Sequence, residues 1–373
     1  MWYSIGAVTV EDFGFELRPT TTPITAQERE KIMEGLGFGR VFSEHMVKIA
    51  YRDGRWQKGV LEPYAPLMLD PAASVLHYGQ AIFEGFKAYR QAGGGISTFR
   101  PDANARRFNS SARRLAMPEL PVERFIGAAD TLIRQERGWV PPAVGESLYI
   151  RPLMIATEAA LGVRPAKEYL FLLFGSPSGA YFPQGIKPLS VWLCKDYVRA
   201  APGGTGEAKC AGNYAASLVA QQMAIDAGCE QVVWLDATHK RFVEEMGGMN
   251  LFFVYREGEK VRLVTPKLTG SLLPGVTRDS ILTLAAELGY GAEEAMISVD
   301  DWERDLKNGH LSEVFACGTA AVITPVGSVK FEGGEWDIHG RESGPIALKI
   351  RETLLSIQHG NLPDRHGWMH SVC

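Results

Sequence analysis

The sequence predicts an α/β (α+β) fold in two domains, and three observations predict it: the length, the different patterning of the two halves, and a Gly/Pro-rich interruption between them. At 373 residues the chain exceeds what one hydrophobic core ordinarily holds, so two cores with a cleft between them are expected. The first half reads as short strands and helices in no regular alternation, whereas the second alternates strand and helix. We therefore expect a smaller N-terminal α+β domain over 1–175, a linker over 176–188 where Gly and Pro cluster, and a larger C-terminal mixed β/α domain over 189–373.

Element by element, the first forty residues form an irregular arm, leading into a short amphipathic helix around 28–34. Strands follow over 45–51, 55–60 and 96–99, each bounded by Gly, Asp or Pro. Between them, 74–89 reads as a helix breaking near Gly85. Helical periodicity marks 102–115 and 122–136, and strands return over 148–154 and 169–174. In the second half the order is strand 189–194, a Gly-rich loop through Lys209, helix 215–227, strand 231–235, and strands 242–254 and 261–264. Helix 279–288, strand 295–299, helix 301–308, strands 313–316 and 322–326 and a final helix 347–358 complete the pattern. No internal repeat or low-complexity tract appears.

Hydrophobic residues make up 46% and charged residues 22%, which is ordinary globular composition and excludes disordered and fibrous classes. A net charge of -4 with no Lys/Arg-rich run gives no footprint for nucleic acid, so the expected partner is a small molecule. The five cysteines are scattered without a C-x-x-C pair, which argues against a disulfide framework or a metal site. With no basic n-region leading an apolar core and no apolar run of bilayer length, a cytoplasmic location and no membrane partner are expected.

Four segments carry possible chemistry. Lys209 ends a loop, Pro202-Gly203-Gly204-Thr205-Gly206-Glu207-Ala208-Lys209, whose glycines would let an aldehyde approach the amine that Schiff-base chemistry needs; a solvated turn lysine or a phosphate contact fits the same loop. Glu244 and Glu245 enter an otherwise apolar β segment, where alternation sends them to opposite faces, so at least one points inward unless the strand is an edge. A pyridinium nitrogen would partner such a carboxylate, as would a salt bridge. Leu273-Pro274-Gly275-Val276-Thr277-Arg278 opens a helix, and Cys317-Gly318-Thr319-Ala320 follows a strand; both offer the hydroxyls and backbone N–H groups of an anion cradle. An ordinary helix cap at Thr277 and a plain turn at Gly318 account for the same residues.

Taken in order, these segments resemble the branched-chain aminotransferase family, the fold-type IV pyridoxal-phosphate enzymes. The resemblance covers nearly the whole chain. It runs through Leu76-His77-Tyr78, Phe83-Glu84-Gly85-Phe86-Lys87-Ala88-Tyr89, Phe99-Arg100-Pro101 with Asn104 and Arg107, Tyr149-Ile150-Arg151-Pro152, Leu161-Gly162-Val163 and Gly179-Ala180-Tyr181-Phe182. It continues through the Lys209, Glu245, Leu273 and Gly318 segments. The resemblance implies a two-domain aminotransferase with pyridoxal 5'-phosphate as cofactor. Lys209 would form the aldimine link to it, Glu245 would meet its pyridine nitrogen, and Tyr214 its phenolic oxygen. Its phosphate would lie among Arg107, Val276, Thr277 and Thr319. For the substrate, the resemblance assigns Tyr149, Gly318 and Ala320 to the α-carboxylate, Phe83 and Tyr181 to the pocket walls, and Arg151 to the distal carboxylate of glutamate. Tyr78 and Val163 would come from the second subunit of a homodimer.

The implied reaction is transamination of L-leucine, L-isoleucine and L-valine with 2-oxoglutarate, giving 2-oxo acids and L-glutamate, in the biosynthesis or degradation of these amino acids. Breadth follows from physics, because one methylene in an apolar pocket discriminates by only about 1–3 kcal/mol. This chain departs from the pattern at Ala321 and Thr324, where some members carry a C-x-x-C pair, at Gly248, where others carry Thr, and at Cys210 and Ala211 beside the lysine. Rival readings are a D-amino-acid aminotransferase or an aminodeoxychorismate lyase of the same fold, against which the Tyr149 and Leu161 segments argue. A non-catalytic binder of a phosphorylated small molecule is the rival from another class.

Overall fold

The computed structural model describes residues 14–179 and 186–373. The described chain divides into two compact units, one built from the N-terminal half together with Trp368–Cys373, the other from the intervening residues.

The first unit holds strands β1 (Phe15–Leu17), β2 (His45–Arg52), β3 (Arg55–Trp56), β4 (Gly59–Pro63), β5 (Ala81–Phe83), β6 (Phe86–Arg90), β7 (Ile96–Phe99), β8 (Ser147–Ala156) and β9 (Tyr169–Ser178). Its helices are α1 (Ala26–Met33), α2 (Ser74–Tyr78), α3 (Pro101–Arg114) and α4 (Val122–Gln135). Helix α1 begins with a capping box in which Thr25 and Glu28 satisfy each other's backbone N–H groups. Helix α3 starts on Pro101 at its first position, where the missing N–H costs nothing. The pair β8 and β9 form the antiparallel centre of the sheet, matched residue for residue from Ser147↔Ser178 to Ala156↔Tyr169. Buried aromatic rings of Phe108 and Phe125 from α3 and α4 meet Phe171 of β9, so helix periodicity and strand alternation close one core.

One reading is corrected here. The stretch 74–89 is not a single helix: α2 ends after five residues on Gly79, whose φ of 60° is left-handed, and β5 and β6 then pair with β8. The apolar residues Ile82, Phe83 and Phe86 fit both periodicities over so short a run, and pairing with β8 decided between them.

The second unit holds β10 (Leu189–Leu193), α5 (Ala211–Ala215), α6 (Leu218–Asp226), β11 (Gln231–Leu235), β12 (Val243–Met246), β13 (Met249–Glu257), β14 (Lys260–Pro266), α7 (Val276–Glu287), β15 (Gly291–Ala295), α8 (Val299–Lys307), β16 (Leu311–Gly318), β17 (Val322–Phe331), β18 (Gly334–Asp337) and α9 (Pro345–Gln358). Its sheet is mixed, ordered β12-β11-β10-β17-β16-β13-β14-β15, with β18 on β17. Trp302 of α8 is fully buried and packs edge-on against Phe253 at 5.0 Å, which fixes that helix on the sheet. Glu313 of β16 is buried and accepts from the Ile346 and Ala347 N–H groups at 3.1 and 2.9 Å, capping the first turn of α9.

Three more expectations shift. The helix expected over 215–227 is two, α5 and α6, and the strand expected over 242–254 is the hairpin β12–β13, turned at Gly247 (φ 57°) and Gly248. The strand expected over 295–299 lies earlier, as β15, because Ser298 caps α8 through the Asp301 N–H. After α9 the chain forms β19 (Met369–Ser371), which pairs antiparallel with β7 in the first sheet; three residues carry no periodicity to read.

His370 of β19 reaches both oxygens of the buried Asp130 on α4 at 3.0 Å. The carboxylate raises the imidazole's pKa above its ordinary value. A raised histidine stabilises the fold fully below its unfolded pKa of about 6.5, and the gain fades as pH rises through the folded value. His370→Gln should therefore melt below the parent protein near pH ~6 and converge with it by pH ~9; an equal gap at both would show that the ion pair contributes nothing.

Candidate active site

In the second unit, the loop before α5 is held by one side chain. Asn213 donates to the carbonyls of Thr205 and Ala208 at 2.7 and 2.8 Å and accepts from the Thr205 hydroxyl at 2.6 Å. Gly206 is pressed so closely on the Ser271 carbonyl that a Cβ would collide with it, which explains a glycine there. On this frame Lys209 Nζ lies 2.7 Å from Tyr214 Oη. The i, i+5 pair meets because α5 begins at once after the lysine.

Both carboxylates of β12 are buried. Glu244 accepts from the Ser271 hydroxyl. Glu245 accepts from the Leu273 N–H, lies 3.4 Å from Asn250 Nδ2 and pairs with Arg199, Nε to Oε2 3.1 Å. Burial pushes the carboxyl pKa of each upward, opposed by the Ser271 hydroxyl at Glu244 and by the Arg199 guanidinium at Glu245. Arg199 also donates to the carbonyls of Gly206 and Ser271, so one buried guanidinium joins the lysine loop, the carboxylate and the 271–273 segment. The hairpin β12–β13 brings its tip over the lysine's partner: a Cβ on Gly248 would sit 3.4 Å from the Tyr214 ring. That is ordinary contact, so the missing side chain leaves space beside the phenol.

Two further segments border this group. Gly275 precedes α7, and a Cβ there would collide with Asn250; this delivers the first turn, Val276 and Thr277, next to the β13 residue that faces Glu245. First-turn N–H groups have no intrahelical partner and favour an anion. In the sheet, Glu245 pairs with Asn250 and Asn250 with Cys317, so the turn through Gly318, Thr319 and Ala320 continues the same row. Cys317 is buried and its thiol pKa is pushed up by that burial, so it is inert. Cys210 is likewise buried.

In the first unit a second group forms around Tyr149. A Cβ on Gly85 would collide with the Tyr149 hydroxyl, while Phe38 meets the ring edge-on at 5.0 Å. Arg151 donates to the Tyr149 hydroxyl at 3.1 Å and lies over the Phe83 ring at 4.8 Å. No carboxylate of the described residues pairs with it, and its Nε is buried without a partner. One residue before Gly85, the fully buried Glu84 holds Arg107 by two bonds of 2.7 and 2.8 Å.

Tyr78 and Val163 are exposed, and Tyr78 donates to the Leu161 carbonyl. Glu158 holds their loop through the Arg164 guanidinium and the Lys167 N–H, bonds that lower its pKa to about 2. Tyr181 lies outside the described residues.

Sequence reasoning singled out Lys209, Tyr214, Glu245, Val276, Thr277, Gly318, Thr319 and Ala320, which the structure holds in one unit, and Phe83, Arg107, Tyr149 and Arg151, which it holds in the other. It missed Arg199, Asn213, Asn250, Glu84 and Phe38. Asn250 had a signal, a lone amide in an apolar strand; Arg199 had none, because nothing in its spacing marks it as buried.

Comparison with known proteins gives a consistent picture. The model of the class IV amino-transferase family matches residues 81–329. A probable branched-chain-amino-acid aminotransferase of Streptomyces coelicolor is 58% identical over 96% of this chain and 98% of its own length. The branched-chain-amino-acid aminotransferase of Mycobacterium tuberculosis is 54% identical over 95% and 97%. Among solved structures, the Escherichia coli branched-chain amino acid aminotransferase superposes with a TM-score of 0.73 at 28% identity, covering 89% of this chain and 100% of that one. The T.th. branched-chain amino acid aminotransferase, solved with pyridoxamine 5'-phosphate, gives 0.71 at 28%, covering 90% and 100%.

Proposed function

Because the chain belongs to the class IV aminotransferases and is a pyridoxal-phosphate-dependent enzyme exchanging the amino group between L-leucine, L-isoleucine or L-valine and 2-oxoglutarate, we propose how its residues divide that work. The observation that carries the proposal is the amine of Lys209 against the Tyr214 phenol in the same unit as the buried, Arg199-paired Glu245.

The donor set suits pyridoxal phosphate: an amine, a phenol, a buried carboxylate and a helix N-terminus are what its aldehyde, phenolic oxygen, ring nitrogen and phosphate call for. When bound, the cofactor supplies the electron sink. The chain's own groups do the rest. Lys209 Nζ holds the aldehyde and, once released, moves the proton at the substrate Cα. Tyr214 Oη orients the phenolic oxygen, and Glu245 keeps the ring nitrogen protonated. Val276, Thr277 and Thr319 take the phosphate, with Arg107 as the charge that joins them.

Tyr149, Gly318 and Ala320 position the substrate carboxylate, and Phe83 and Phe38 wall the side-chain pocket. Arg151 receives the distal carboxylate of glutamate or 2-oxoglutarate. An arginine held by ring faces and a neutral hydroxyl suits a pocket serving both branched and acidic substrates: it offers charge to one and a flat guanidinium face to the other. Arg151→Met should raise KM for 2-oxoglutarate by about a hundredfold, the loss of a charge-assisted bond, and KM for L-leucine far less. Equal effects on both would remove Arg151 from this role.

We further propose that the two compact units are the two domains, so that the boundary expected at 175 moves to Gly179 and residues 368–373 pass to the first, and a homodimer in which Tyr78 and Val163 complete the partner's site. Val163 is 84% exposed, and Met68, Leu76, Tyr78 and Leu161 are also exposed; apolar exposure on this scale favours a covering partner. A cytoplasmic setting fits five free cysteines, and no helix among the described residues is long and apolar enough to cross a membrane.

The test is the absorption spectrum of the purified protein with L-leucine, then 2-oxoglutarate, with D-alanine in parallel. A visible band that bleaches with L-leucine and returns with 2-oxoglutarate is expected. Response to D-alanine alone would overturn the substrate class, and no band after adding pyridoxal phosphate would overturn the cofactor role of Lys209.

A further inference from the structure

The turn between β16 and β17 contains a conformation its sequence does not favour. Gly318 pairs with Val322 and Cys317 with Ile323, leaving three residues in the connection. Hairpins of this length place glycine or asparagine at the left-handed position. Here the left-handed residue is Val322, φ 64°. The Ile323 N–H donates back to the Ala321 carbonyl at 2.9 Å, so Val322 is the centre of a γ-turn of the positive-φ kind, which is rare and strained. The other non-glycine residues with positive φ among the described residues are Asp53, Arg100, Ala116, Lys240, His339 and Arg341; Val322 alone is β-branched, the type for which this region is a true outlier.

The strain sits against the active site. Cys317 continues the row of Glu245 and Asn250, and a Cβ on Gly318 would come within 3.3 Å of Met249, the residue after Gly248 at the hairpin tip beside Tyr214. Ala321, Val322 and Ile323 are all buried, so tertiary packing holds the conformation. Strain kept at such a position is a device for fixing geometry.

We propose that Val322 is a positioning residue: its strained γ-turn locks the Gly318–Ala320 turn in the shape that receives the substrate carboxylate. The proposal rests on the assignment of that turn given above. A glycine at 322 relieves the strain and frees the turn; an alanine keeps the Cβ and therefore keeps the constraint, losing only two buried methyl groups.

The experiment compares V322G and V322A holoenzymes. Glycine is normally the less stable of the two, through its freedom in the unfolded chain, but here V322G is expected to melt at or above V322A. V322G is also expected to raise KM for both L-leucine and 2-oxoglutarate by about tenfold, with kcat within about threefold, the signature of lost substrate positioning; V322A raises KM less. V322G melting clearly below V322A, or the two variants sharing one KM, would overturn the role of Val322. A parent enzyme that fails to transaminate would overturn the underlying function, whatever the melting order.

Discussion

Lys209→Ala protein is expected to lose transamination by at least about a thousandfold while melting close to the parent, because the residue's work is chemical and its loop is built by others. The magnitude follows from proton transfer by a positioned group, worth about 10²–10⁴, to which loss of the covalent hold on the cofactor adds. The retained fold follows from the structure. Asn213 makes the hydrogen bonds that shape the loop, Gly206 packs on Ser271, and Lys209 itself is only partly buried. Rates are to be followed by single-turnover bleaching with L-leucine and folding by thermal melting. Turnover near the parent rate in a folded variant would exclude Lys209 as the catalytic amine.

Glu245→Gln is expected to fail in two ways at once. The amide nearly matches the carboxyl in size but cannot carry its charge, so the ring nitrogen loses the anion that keeps it protonated, and kcat should fall about 10²–10³-fold, the usual cost of removing one preorganised electrostatic contact. The same change strips Arg199 of its partner. A guanidinium that is buried and left uncompensated costs about 3–5 kcal/mol, so the variant should also melt clearly lower. Cofactor is expected to remain, held through Lys209 and the phosphate contacts, so the visible band should persist while its bleaching slows. Unchanged rates would assign the ring nitrogen to another acid. Unchanged stability would mean that the carbonyls of Gly206 and Ser271 satisfy Arg199 without Glu245.

Glu245 and Arg199 also show where the sequence stops being informative. A carboxylate pair inside an apolar strand announces itself, because burying either member requires a partner and the strand period turns at least one of them inward unless the strand is an edge. The partner has no such signature. Arg199 lies 46 positions earlier, between a strand and a glycine-rich loop, and only the folding of 271–273 across both makes it a buried counter-charge. Phe38 is similar: one exposed-looking aromatic of an irregular arm becomes a neighbour of Tyr149 through tertiary packing alone.

By itself the sequence determined the α/β class, most of the helices and strands, the lysine, and the ordered segments that mark the family. These depend on local rules: hydrophobic period, capping residues, and glycines where backbone must approach closely. Tertiary structure decided the rest. Pairing with β8 made strands of 81–83 and 86–90, whose few apolar residues satisfy either period. Tertiary packing also drew residues 369–371 into the sheet of the other half of the chain, against β7, and held Val322 in a conformation that its own side chain disfavours. Strand partners, buried counter-charges and strain are long-range terms, set by residues distant in sequence that meet only when the core closes.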